Sequence, residues 1–354
     1  MAAPSLAVRP DLAEVEPYVS PQLPARYRLN TNESPYPPPA RVGDEIAARV
    51  GALALNRYPD RDASRLSAAL AERAAWPEAG VWIANGSNEV LMHLFLALGG
   101  PGRRALTFEP TYSLHTLIPR IAGTRTVAAG RAEDWRVDVD AALHAIEVER
   151  PDIVMLCSPN NPSGGCEPRA VIEALAEAAP GIVVVDEAYG EFAGAENSAR
   201  PLLGQHPNLI VVKTFSKAWR LAGARLGYLL ADPALVHELT RVRLPYHLSG
   251  PTQAIGEVAL AHQDELLAAV GKVVAERNRI AVALQRMGLV TFPSRANFVL
   301  FGVDEPGETW SALYDRGVLI RNYAGRPRMA RCLRVTAGLP EENDAFLDAL
   351  EAVL

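Results

Sequence analysis

Lys217 is the residue of this chain best placed for covalent chemistry. Only three lysines, Lys213, Lys217 and Lys272, occur among 35 basic residues, so arginine is preferred almost everywhere else. A guanidinium stays protonated and cannot form an imine, whereas a lysine amine with a depressed pKa can. Lys217 follows the apolar run that begins at Val211, stands beside Ser216, and has Arg225 shortly after it. It is a candidate Schiff-base lysine; the plainer alternative is a solvated loop lysine. A lysine-bound cofactor would further need a phosphate site, a covering aromatic ring, hydrogen-bond donors and an acid.

Those groups stand at the ends of other apolar runs. Asn85-Gly-Ser-Asn-Glu89 follows Val81–Ala84 and opens a helical stretch, so Gly86, Ser87 and Asn88 offer free backbone N–H groups at the positive end of a helix dipole. That suits a phosphate, although N-capping by Ser87 or Asn88 explains the same residues. Glu109-Pro-Thr-Tyr112 supplies an aromatic that could cover a flat ring or simply pack. In Ser158-Pro-Asn-Asn-Pro-Ser-Gly164, two prolines and a glycine hold the backbone outside helix and sheet, and Asn161 brings an amide. Asp186-Glu-Ala-Tyr189 ends a fully apolar strand with a carboxylate, which is costly to bury without a cationic partner. The pyridinium nitrogen of pyridoxal phosphate is such a partner, and Tyr189 could reach the phenolic oxygen of the same ring. Arg225 completes the set as a forked phosphate ligand. Each residue is a weak sign alone; together they describe one site.

The elements that must carry them read as alternating strands and helices. Strands are expected at Val81–Ala84, Ala105–Phe108, Arg125–Ala129, Ile153–Cys157, Ile182–Asp186, Leu209–Thr214 and Leu226–Leu230. Helices are expected at 63–75, 88–98, 113–122, 138–148 and 168–178. Short apolar strands separated by helices imply an α/β fold, a mostly parallel sheet covered on both faces, with its ligand outside the carboxyl ends of the strands. Residues 1–41 are proline-rich and read as an N-terminal arm joining a small domain. Residues 42–255 read as the large domain, and 256–354 as a smaller α+β domain. The latter region has a long helical stretch at about 252–286, strands near 298–301, 318–320 and 333–336, and helices near 308–315 and 341–352.

Bulk properties set limits. A chain of 354 residues can bury a large core, and 49% hydrophobic with 21% charged residues is ordinary for a globular protein. The net charge of -6 gives no basic footprint for nucleic acid. Cys157, Cys166 and Cys332 lack metal-type spacing and read as free thiols of a reducing compartment. Neither a signal pattern nor a long apolar run is present, so a cytoplasmic protein without a membrane partner is expected. The seven histidines form no metal pair and read as surface or packing residues.

Asn161-Pro-Ser-Gly164, Asp186-Glu-Ala-Tyr189, Ser216-Lys217 and Arg225 resemble the signature of the fold-type I pyridoxal-phosphate aminotransferases. Leu29-Asn-Thr-Asn-Glu-Ser-Pro35, Asn56-Arg-Tyr-Pro-Asp60, Asn85–Glu89, Ser294–Phe301, Gly317–Arg321 and Cys332–Thr336 extend the likeness to the histidinol-phosphate aminotransferase family over nearly the whole chain. The resemblance implies a seven-stranded, mostly parallel sheet sandwiched by helices, and pyridoxal 5'-phosphate as cofactor. It implies that Lys217 holds the cofactor and moves the substrate proton, Asp186 meets the ring nitrogen, and Asn161 and Tyr189 meet the phenolic oxygen. Tyr112 would stack on the ring, while Gly86, Ser87, Asn88, Ser216 and Arg225 would hold the phosphate. Tyr58 would reach that phosphate from a neighbouring subunit, making the site a property of a homodimer. Arg334 and Arg321 would face the anionic end of the substrate, with Asn30 and Asn161 lining it and Tyr18 closing over it.

Three departures from the family pattern stand out: Asn88 where Asp is common, Ser163 where Thr is commoner, and Trp219-Arg220 after the lysine. The last pair bears on substrate choice. The implied reaction is transamination between L-histidinol phosphate and 2-oxoglutarate. An aromatic amino-acid aminotransferase and, further off, a threonine-phosphate decarboxylase are the alternatives. A nicotinamide dehydrogenase is disfavoured, since no G-x-G-x-x-G follows an early strand.

Overall fold

The computed structural model describes residues 9–13, 15, 17, 18 and 22–354; the remainder of the arm expected over 1–41 lies outside the described residues. In chain order the strands are β1 (Tyr27–Arg28), β2 (Val81–Ala84), β3 (Arg104–Glu109), β4 (Arg125–Gly130), β5 (Ile153–Cys157) and β6 (Ile182–Asp186). They continue with β7 (Leu209–Thr214), β8 (Gly227–Leu230), β9 (Phe298–Gly302), β10 (Val318–Leu319), β11 (Arg321–Asn322) and β12 (Cys332–Thr336). Seven of them form one sheet in the order β2-β8-β7-β6-β5-β3-β4. All neighbours are parallel except at β8, which pairs antiparallel with both β2 and β7. The N-terminal end of β8 therefore lies on the edge where the other six strands finish.

The central strands β5 and β6, and nearly all of β7, are buried on both sides, which is why they read as apolar runs. Side chains alternate between two cores. Val154 and Leu156 of β5, Val183 and Val185 of β6, and Leu209 and Val211 of β7 enter one cluster. Ile153 and Met155, Ile182 and Val184, and Ile210 and Val212 enter the other. This period of two puts Asp186 on the same side as Val184, beneath the helix Leu114–Ile121, whose Ile118 belongs to the same cluster.

A second, antiparallel sheet has the order β11-β12-β9, and β1 pairs in parallel with β10. The segment after β1 continues beside this sheet: the Thr336 amide donates to the Leu29 carbonyl at 2.9 Å, and the Asn32 amide to Thr336 Oγ1 at 3.1 Å. The N-terminal segment is thereby brought to the mouth of the main sheet.

Among the described residues, three helices were not anticipated from sequence, one of them the single turn Gly190–Ala193. Ala40–Gly51 begins after a proline run and buries only Val42, so its core stripe is faint. Pro233–Leu239 is short, although its Asp232 cap and proline start are a readable helix opening. The stretch expected as one helix over 252–286 is three, Gly250–Ala261, Gln263–Leu267 and Val270–Arg286. The first break falls at His262, whose ring is held by Glu45 at 2.7 Å and by Glu265 at 3.2 Å. Among the described residues, no helix is long and apolar enough to cross a membrane.

Candidate active site

At the carboxyl edge of the main sheet lies a cavity of about 560 Å³. Tyr18, Asn30, Ser87, Asn88, Tyr112, Asn161, Asp186, Tyr189, Ser216, Lys217, Arg225, Arg321 and Arg334 all line it. Of the other residues expected at the site, Gly86 abuts Arg225 at the rim. Tyr58 lies elsewhere: it is 80% exposed and stacks on Tyr246 with ring centroids 4.4 Å apart. This chain does not bring Tyr58 to its own cavity.

Lys217 stands on the connection between β7 and β8. Its amine donates to the Thr31 carbonyl at 2.9 Å. The residue keeps partial solvent access through the cavity, yet protein atoms crowd it enough to disfavour the ammonium form. Burial first, and then the nearby positive charges of Arg334 and Arg225, bring its pKa down to about 8.

The connection is closed at its base, because Thr214 and Gly227 are paired across β7 and β8. Arg225, just before β8, adopts φ +52, a left-handed conformation that is costly for a side chain larger than glycine. That conformation lets its guanidinium donate to Ser216 Oγ at 3.3 Å and to the Ala222 carbonyl at 2.9 Å. Across the β2–β8 pair, the turn at Gly86 opens the helix Ser87–Leu98. Gly86 has φ +87, and a Cβ there would meet Arg225 Nη2 at 2.6 Å. A Cβ on Gly227 would meet the Ser87 amide at 2.3 Å. The two glycines let a guanidinium, a serine hydroxyl and the first helical amides converge on one point. Such a cradle has the donors to take a phosphate.

Asp186 is buried. His115 Nε2 lies 2.8 Å from its Oδ2, and the Ala188 amide donates to its Oδ1 at 3.0 Å. Sequence reading missed His115, which it classed with the surface and packing histidines. A single histidine in an apolar helix gives no signal until β3, β5 and β6 are known to be neighbours. Tyr189 was expected, but its partner Asn32 was not. Asn32 Nδ2 donates to the Tyr189 hydroxyl at 2.8 Å, and Asn161 Nδ2 does so at 3.4 Å. With two donors on the oxygen, the Tyr189 proton is left to point at another acceptor. Burial raises the pKa of Tyr189 and of Tyr112, so both remain hydroxyl donors. Burial likewise keeps the Cys157 thiol neutral beside Asp186.

The loop that carries Asn161 is pinned from below by a buried ion pair. Arg131 Nη1 lies 2.8 Å from Glu167 Oε1, and the Glu167 amide donates to Ser158 Oγ at 3.0 Å. Opposite Asn161 stands Arg334 on β12, whose register partner on β11 is Arg321. Arg334 is buried and donates to Asn161 Oδ1 at 2.5 Å, to the Tyr323 hydroxyl at 2.9 Å and to the Asn30 carbonyl at 2.8 Å. Its Nε is buried without a partner. A guanidinium fixed in this way at the cavity wall suits an anionic guest. Tyr18 meets Tyr112 edge to face, with centroids 6.3 Å apart.

Trp219 and Arg220 do not join this cavity. Trp219 is fully buried against Phe215, with centroids 4.4 Å apart and the Arg73 guanidinium 4.6 Å from its ring. Arg220 donates to the Pro37 and Glu265 carbonyls, each at 3.3 Å. Both residues turn away from the cavity and tie the lysine loop to its neighbours, so the expected bearing on substrate choice is corrected.

The geometry fits pyridoxal 5'-phosphate. The glycine-spaced cradle can take its phosphate, the buried carboxylate its ring nitrogen, the Tyr189 hydroxyl its phenolic oxygen, and the depressed amine its aldehyde.

A family model described as aminotransferase class I and II matches residues 27–350. The histidinol-phosphate aminotransferase of Frankia casuarinae is 50% identical over 367 residues, covering 99% of this chain and 91% of that protein. That of Thermobifida fusca is 49% identical, covering 98% of this chain and 95% of its own length. A solved structure of histidinol-phosphate aminotransferase from Sinorhizobium meliloti, in complex with pyridoxal-5'-phosphate, superposes with a TM-score of 0.89. It is 29% identical and covers 99% of this chain and 98% of that one.

Proposed function

The chain belongs to the class I and II aminotransferases, and from that premise we propose that it transfers the amino group of L-histidinol phosphate to 2-oxoglutarate. The products are imidazole-acetol phosphate and L-glutamate, a step of histidine biosynthesis. The observation that carries the anionic substrate class is Arg334, fixed by three acceptors at the cavity wall, with its register partner Arg321 lining the same cavity. The names of relatives about half identical over almost the full chain narrow that class to histidinol phosphate.

Pyridoxal 5'-phosphate, when bound, supplies an aldehyde that takes up the amino group and a ring that draws electrons from the substrate Cα. Lys217 would hold the cofactor through its amine and would take and return the proton at the substrate Cα. With a pKa of about 8, roughly a tenth of its amine is neutral at pH 7. Asp186 would face the ring nitrogen, and His115 fixes its direction. Tyr189 and Asn161 orient the ring through its phenolic oxygen, and Tyr112 covers one face. Gly86, Ser87, Asn88, Ser216 and Arg225 hold the phosphate. Arg334 and Arg321, with Asn30, receive the donor's phosphate and the carboxylate of glutamate in turn, because guanidinium forks suit both. Tyr18 closes over them and excludes water.

The same reading includes a homodimer in which Tyr58 reaches the partner's phosphate cradle, which agrees with its outward position on this chain. It also includes a large domain over 42–255, a small one over 256–354 joined by the N-terminal arm, and a cytoplasmic location.

Two experiments test it. Borohydride treatment of the holoenzyme should fix the cofactor on Lys217; label on Lys213 or Lys272 would overturn the site. Turnover should be fastest with histidinol phosphate; faster turnover of phenylalanine or tyrosine would move the protein to the aromatic aminotransferases. Loss of carbon dioxide without glutamate formation would make it a decarboxylase.

A further inference from the structure

The cavity has another cation at its rim that the reaction above does not use. Arg326 lines it together with Arg321 and Arg334, and it is exposed. Its guanidinium lies 5.8 Å from the centroid of the Tyr323 ring. The buried Arg334 guanidinium lies 5.6 Å from the same ring and donates to its hydroxyl at 2.9 Å. Tyr323 therefore joins a dry guanidinium to a wet one.

The loop that presents Arg326 is held at both ends. The Tyr323 amide donates to the Cys332 carbonyl at 3.1 Å, the Arg326 amide to the Tyr323 carbonyl at 3.1 Å, and the Met329 amide to the Arg326 carbonyl at 3.0 Å. Arg328, at φ +62, donates to the Arg131 carbonyl and, at 2.8 Å, to the Ala132 carbonyl. Arg131 is the buried partner of Glu167, so the loop is clamped to the edge of the main sheet. Among the described residues no carboxylate pairs with Arg326.

The two substrates of the proposed reaction differ in what they ask of this end of the cavity. A carboxylate carries one charge and two oxygens, which the forks of Arg334 and Arg321 satisfy between them. A phosphomonoester carries about 1.5 to 2 charges and three acceptor oxygens at neutral pH. We propose that Arg326 is a specificity residue that meets the phosphate of a phosphorylated donor from the solvent side, while Arg334 meets it from the interior. The inference rests on the histidinol-phosphate reading.

The test compares the wild-type holoenzyme with Arg326→Gln and Arg326→Lys, using L-histidinol phosphate and unphosphorylated L-histidinol at low and high salt. The glutamine variant should lower the ratio of kcat/KM between the two donors by about tenfold, mainly through KM. It should also flatten the salt dependence seen with the phosphorylated donor. The lysine variant should recover part of the ratio. An equal fall for both donors would show that Arg326 only supports the loop and would overturn the proposal, as would an unchanged ratio. A wild-type enzyme that ignores histidinol phosphate would instead sink the parent reading, whatever the variants do.

Discussion

His115 Nε2 and Asp186 Oδ2, both on buried side chains, are 2.8 Å apart on the same face of the main sheet. Among the described residues, the imidazole is the only side chain hydrogen-bonded to this carboxylate. Replacing it as His115→Phe leaves Asp186 with the Ala188 amide alone. The expected cost is about 1–3 kcal/mol, seen as a lower Tm and weaker cofactor retention in equilibrium dialysis. Wild-type retention in this variant would show that Asp186 orients itself.

Lys217 sets a pH dependence for loading the apoprotein. Its folded-state pKa is about 8 against an ordinary value of 10.5, so the neutral amine grows about tenfold per pH unit below 8 and levels off above. The rate of covalent pyridoxal phosphate uptake, followed by absorbance after rapid mixing, should trace that curve; a midpoint near 10.5 would contradict it. Stability follows the same shift. Between about 8 and 10.5 the unfolded chain holds the extra proton, so apoprotein stability should rise with pH in that window relative to Lys217→Met.

Gly227→Ala should damage the phosphate cradle through its backbone. The new Cβ would lie 2.3 Å from the Ser87 amide and 2.5 Å from the Gly86 carbonyl carbon. Relieving that contact must part β2 from β8, at about 1–3 kcal/mol. Weaker binding of inorganic phosphate to the apoprotein, with a lower Tm, is the expected result.

Trp219→Phe should leave donor preference as it was. The indole Nε1 is buried without a partner, so losing it removes an unsatisfied donor, while a phenyl ring keeps the stack on Phe215. A changed ratio between histidinol phosphate and phenylalanine would return Trp219 to the substrate problem.

The proposed sharing of the site between two copies of the chain can be tested by mixing two defective variants. Lys217→Ala and Tyr58→Ala should exchange into mixed dimers that contain one intact site, and activity above either parent should appear. Additive activity would place Tyr58 outside the partner's cavity.

Much of this site was legible because β5, β6 and β7 are unbroken apolar runs, and whatever follows such a run in a buried sheet stands at its edge. Asp186, Asn161 and Lys217 could be read in that way. His115 and Asn32 could not, since their positions follow from which strands are neighbours and from where the N-terminal segment docks. The break at His262 was hidden for a similar reason: helical spacing runs on through it, and the residues that hold it, Glu45 and Arg41, lie far away in sequence. Trp219 was misjudged because proximity to Lys217 in sequence says nothing about which side of the loop a ring occupies.

The reversed strand β8 gives the site an order of assembly. Its pairing with β7 closes a short loop, Thr214 with Gly227, whereas its pairing with β2 joins Ala84 to that same Gly227 across most of the large sheet. Short loops close at far smaller entropic cost than long ones. During refolding, amides of the β7–β8 hairpin should gain exchange protection before those of Ser87 and Asn88. The chain would then possess its covalent anchor while its anion pocket is still half made, and free cofactor would find little to grip until the most distant strands meet.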